Sequence, residues 1–162
     1  MACPYFMPVE KLQGTWPHPA RLPLGCGWSG HCTAPGHENE TPEQDILEAF
    51  CNLGYATGCS WAARERAWDA VRFAVAAPTG IENPRITSAS DLRPSLAIIR
   101  LIYVCERNHR PVERGEIEYD LQRCAWQPSH HDTRVQKMAE CFLGSFLQKG
   151  ALPTKSGTGE IS

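Results

Sequence analysis

Five of the eight cysteines, Cys3, Cys26, Cys32, Cys51 and Cys59, fall within the first 59 residues, and theirs are the side chains whose type and spacing can do chemistry. Thiolates are soft, charged and strongly donating, so such a set suits zinc or an iron–sulfur cluster. Spacing helps to separate the two. A structural zinc site is usually built on two CxxC knuckles, or on one knuckle with paired histidines on a helix, and no CxxC occurs here. The cysteines come instead from separate stretches, CP at 3–4, CGWSGHC at 26–32 and CNLGYATGC at 51–59. Pro4 stiffens the chain beside Cys3. Gly30, Gly54 and Gly58 let backbone amides approach sulfur, where N–H groups tune a cluster, and Tyr5, Phe6, Trp28, Tyr55 and Trp61 can exclude solvent. Together these features favour a [4Fe–4S] cluster.

Two other chemistries compete. A mixed tetrahedral zinc site could use Cys26, Cys32, His37 and either Cys51 or Cys59. A nucleophilic thiol needs a base within hydrogen-bond reach, and Cys51 with His37 is the pair to consider. No GxSxG, HExxH, GxGxxG or phosphate loop accompanies them, so a carrier or sensor is favoured over an enzyme. Cys105, Cys124 and Cys141 are expected to fill core, as buried free cysteines commonly do. His109, His130 and His131 are expected at solvent, the last two beside Asp132 where a helix could be capped.

CPYF near the start, RLPLG followed by GHC, CNLGYATGC, AVRF, IYVCE and DTRVQ are spread over most of the chain. In these motifs the sequence resembles a group of uncharacterised bacterial cysteine-containing proteins. The resemblance implies a four-thiolate site on Cys3, Cys32, Cys51 and Cys59. Cys26 and the polar loop after Ala77 depart from the pattern. The function expected on these grounds is that of a small electron carrier or redox sensor with a protein partner; a zinc-stabilised interaction module is the alternative, and a cysteine-dependent enzyme the second.

The elements that must hold such a site follow from composition and pattern. A chain of 162 residues with 42% hydrophobic side chains can bury one core, predicting a single domain over 1–149 with a disordered tail at 150–162. Net charge −2 and pI near 6.3 supply no basic field for nucleic acid or anionic membrane. The N-terminus lacks the basic start and apolar run of a secretory signal, and no stretch is long and apolar enough to span a bilayer, so a cytoplasmic protein is expected.

The pattern predicts an α+β fold. A cysteine-rich N-terminal wrap (1–61), too rich in Pro and Gly for regular structure, leads into a helix capped by Thr41 and stopped by left-handed Gly54 or Gly58. WAARERAWD could form a short helix. AVRFAVAA, SLAIIRLIYVCERN, GEIEYDLQ and CAWQP then read as an antiparallel sheet (68–127), with a long surface loop at 78–94, a turn at NHRPVERG, and Arg100 and Glu106 at solvent. A C-terminal helix over 130–149 presents Val135, Met138, Phe142 and Phe146 to the sheet, with Ala139 and Leu143 beside them.

Overall fold

The computed structural model describes residues 1–14, 16, 22–76 and 98–151. The expected surface loop at 78–94 and nearly all of the expected tail lie outside these residues. The described chain is α+β, with a two-stranded sheet, a four-stranded antiparallel sheet and a C-terminal helix laid on the larger sheet.

The larger sheet is a meander in the order β3 (Ala70–Val75), β4 (Ile98–Arg107), β5 (Arg110–Asp120) and β6 (Ala125–Trp126). The β4–β5 connection is tighter than the motif NHRPVERG suggests. Only Asn108 and His109 turn, both at positive φ (50° and 59°), the geometry of a two-residue hairpin that matches strand twist. The strand then resumes at Arg110, and Val112 and Glu113 belong to it. On β4, Ile99, Leu101 and Cys105 point to one buried face, matched by Ile117 of β5.

Helix α2 (Thr133–Ala151) covers that face with Val135, Met138, Ala139, Leu143 and Phe146, all buried. Each large side chain so buried contributes about 1.5–3 kcal/mol. The helix starts where Asp132 caps it: Oδ1 accepts the Arg134 N–H at 2.9 Å, and the Asp132 carbonyl accepts Gln136 N–H at 3.0 Å. None of the described helices is long and apolar enough to cross a membrane.

The N-terminal region is more regular than its composition suggests. β1 (Phe6–Lys11) pairs antiparallel with β2 (Trp28–Cys32), Phe6 opposite Cys32 and Pro8 opposite Gly30. Proline is tolerated because the sheet has only two strands and one side of β1 needs no ladder bond. A side chain at residue 30 would meet the Met7 carbonyl oxygen at 2.1 Å, so only glycine allows the strands this close. The N-terminus is tied to the larger sheet, because Ala2 and Val71 exchange backbone hydrogen bonds of 2.7 and 2.9 Å.

The first helix also differs from expectation. α1 (Gln44–Ile46) starts after Glu43 and not at Thr41, and it passes directly into a π-helix over Leu47–Asn52. Neither Gly54 nor Gly58 has positive φ. Gly54 is needed for space, since a Cβ there would lie 1.9 Å from the Phe50 carbonyl oxygen. A 3-10 turn (Ala56–Gly58) follows, and WAARERAWD forms turns and bends instead of a helix.

Candidate functional site

Four chain segments converge on one small cavity, and each supplies a cysteine. The lining comprises Cys3, Cys32, Cys51 and Cys59 with Tyr5, Phe6, Pro42, Ile46, Trp61 and Ala62. The cavity is small, about 10 Å³, room for about one water. No charged side chain and no histidine lines it.

Each cysteine is set by local backbone chemistry. Cys3 begins the turn Cys3-Pro4-Tyr5-Phe6, closed by Phe6 N–H to the Cys3 carbonyl at 3.1 Å, with proline at the second position where its fixed φ fits. Cys32 ends β2. The following loop folds back on it: Cys32 N–H donates to Glu40 O at 2.8 Å, and Asn39 N–H to Cys32 O at 2.9 Å. Within that loop Ala34-Pro35-Gly36-His37 closes a turn at 2.9 Å with Gly36 at φ +87°, a position that glycine fills without strain. Cys51 sits inside the π-helix, and Cys59 follows the 3-10 turn, its N–H on Ala56 O at 3.1 Å.

Asn52 locks these pieces together and was not singled out from the sequence. Its side chain is 1% exposed. Oδ1 accepts Trp28 N–H at 2.9 Å, and Nδ2 donates to Trp28 O at 2.9 Å and Leu47 O at 3.1 Å. One amide thus joins the start of β2 to the π-helix that carries Cys51. A second clamp ties the Cys59 segment to the sheet: Tyr55 Oη donates to Glu106 Oε2, and Ala56 N–H donates to Asp69 O at 2.9 Å. Glu106 is therefore buried, contrary to expectation, under Tyr55 and Arg72.

The electrostatics of the thiols are shared. Burial pushes Cys3 up to about 12, opposed by the amides of Tyr5 and Phe6. Burial also raises Cys51, and the sulfurs of Cys3, Cys59 and Cys32 raise it further. Cys32 is raised by burial while the Ala34 amide, 3.4 Å from its Sγ, pulls it down. These amides favour a charged sulfur over a neutral one. Among the described residues no three cysteine sulfurs lie within 4.8 Å of one another. A tetrahedral zinc with Zn–S near 2.3 Å would hold them about 3.8 Å apart.

The remaining candidates lie elsewhere. Cys26 is outside this cavity, with its Sγ 3.2 Å from Ser145 Oγ on α2. His37 stands behind the wall, stacked on Trp61 at 4.4 Å and 3° and paired with Glu40 at 3.0 Å. Cys105 and Cys141 are buried in the core as expected, but Cys124 is exposed, held in a turn at φ 52°. His109 is exposed, as expected.

His130, expected at solvent, is buried. It forms with Glu113 and His131 a group whose ligand atoms lie within 4.8 Å of one another. Its Nδ1 accepts the Asp132 N–H at 2.9 Å, and burial, aided by His131, lowers its pKa and keeps it neutral. The proton therefore sits on Nε2, 3.8 Å from Glu113 Oε1. A protonated nitrogen has no lone pair to ligate a metal, so this group does not suit one.

Comparison of the chain with protein-family models, with curated proteins and with solved structures finds no match in any of the three.

Proposed function

We propose that this chain carries one [4Fe–4S] cluster on Cys3, Cys32, Cys51 and Cys59 and serves as a small electron carrier or redox sensor for a protein partner. The observation that carries the reading is the single cavity lined by these four cysteines, from four separate segments, with no acid, base or histidine in its wall. Four thiolates around a space without other ligands match a cluster's requirement. The lack of a base in the wall argues against a thiol nucleophile. The amides on Cys3 and Cys32 supply the N–H···S contacts that stabilise cluster charge and tune potential.

Cys59 is the one member of the set that is not buried, so electrons enter and leave on its side, beside Trp61. Residues 33–63 hold five carboxylates and no Lys or Arg. The partner's docking face is accordingly basic.

The test is iron and acid-labile sulfide content, with an absorption spectrum, on protein purified without air. About four irons and four sulfides per chain are expected, lost in Cys51→Ala and kept in Cys105→Ala. One zinc without sulfide would move the protein to a zinc-stabilised interaction module, and no metal would overturn both readings.

A further inference from the structure

We propose that a second pocket, on the other side of Tyr5 from the cysteines, binds a small organic oxyanion, a molecule bearing one carboxylate or phosphate group. The proposal stands independently of any metal.

The pocket is lined by Pro4, Tyr5, Arg66, Ala67, Trp68, Asp132 and Arg134 and measures about 190 Å³. This is below the roughly 300–1,000 Å³ of drug-sized sites, so the ligand is small. Two guanidinium groups and one carboxylate line it, and with Asp69 just behind the wall each guanidinium has one carboxylate partner. The counter-ion of Arg66 sits outside the lining: Asp69, 2% exposed, accepts the Arg66 Nε–H on Oδ1 and the Asn108 N–H on Oδ2 at 2.7 Å. Arg66 Nη1 donates to Ala63 O at 2.6 Å. Arg134 places Nε and Nη2 on Asp132 at 3.0 and 2.6 Å.

Each guanidinium is thereby fixed in orientation with donors to spare. Among the described residues neither Arg66 Nη2 nor Arg134 Nη1 has a hydrogen-bond partner. Oriented guanidinium N–H groups are the donors that recognise carboxylate and phosphate best. Tyr5, with the Arg134 guanidinium 5.6 Å from its ring centre, and Trp68 add flat apolar walls that accept a planar body. Asp132 in the wall opposes a polyanion, which restricts the ligand to one oxyanion group.

The experiment titrates benzoate, inorganic phosphate and chloride separately into the full-length chain, read by calorimetry and by the shifts of arginine Nε–H resonances. Saturable binding of benzoate or phosphate, and none of chloride, is expected; the tighter of the two identifies carboxylate or phosphate as the group recognised. Arg134→Lys keeps the charge but loses the planar donor set, and is expected to weaken binding at least about tenfold. Because Arg134 also pairs with the cap of α2, Ala67→Glu is the second variant. It places a carboxylate in the pocket from an exposed position and should abolish binding without changing Tm. Failure of both oxyanions to saturate, or binding unchanged in Ala67→Glu, would overturn the site.

Discussion

Cys51 and Cys105 are both buried, both on regular backbone, and both held as neutral thiols chiefly by burial. Their neighbours differ. Cys105 packs among Ala2, Leu24, Val71, Val135 and Met138, with Cys141 nearby, in a continuous apolar core. The next contributions to its shift come from the carboxylates Glu113 and Asp132. Cys51 borders the small cavity, and its next contributions come from the sulfurs of Cys3, Cys59 and Cys32. Burial and a raised thiol pKa thus belong equally to a core filler and to a candidate ligand. What distinguishes them is whether the sulfur's unfilled side faces carbon or other sulfurs.

The largest break in this comparison should come from metal removal. With the proposed cluster bound, stripping it should lower Tm by more than about 10 °C, since ligand binding to the folded state alone is folding free energy. Cys105→Ala should cost about 1–2 kcal/mol, and the same amount with metal present or removed, because it only opens a small gap in the core. Paired thermal melts check both. A metal-insensitive Tm, or a Cys105→Ala variant that sheds metal, would erase the distinction between the two cysteines.

Asn52 sharpens the comparison at the next level. Asn52→Leu keeps the volume but leaves the Trp28 N–H and the Trp28 and Leu47 carbonyls without their partner. A loss of about 2–3 kcal/mol is expected in urea unfolding. Metal stoichiometry should fall as well, because the π-helix bearing Cys51 is no longer tied to β2. A loss of stability with full stoichiometry would mean that Cys51 is positioned by the helix alone.

The two regions were also unequally legible. The meander and α2 could be read because their periods are local: alternation along Ile99, Leu101 and Ile117, and helical spacing from Val135 to Phe146. The N-terminal region had no such period. β1 and β2 carry Pro8 and Gly30, which argue against strands until the single partner strand and the close approach are known. The cysteine set was suggested by ligand chemistry and narrowed by resemblance; four of the five N-terminal cysteines line one cavity, and Cys26 lies apart. Asn52, Glu106 and His130 were missed because a polar side chain is buried only when a distant partner satisfies it or an apolar neighbourhood encloses it, and neither is written locally.

The smallest effect concerns pH. Burial pushes Cys105 up to about 12, while an unfolded thiol titrates near 8.5. A raised folded-state pKa means that the neutral thiol stabilises the fold fully below about pH 8.5, and that this contribution is lost as pH rises toward 12. Between pH 7 and 9 the loss from this one group is about 1 kcal/mol. Urea unfolding of wild type and of Cys105→Ala at both pH values isolates it, because every other thiol is common to the two proteins. The variant should lose about 1 kcal/mol less than wild type across that interval. Equal losses would mean that Cys105 reaches water before the chain unfolds, and the core would then be no drier around Cys105 than the cavity is around Cys59.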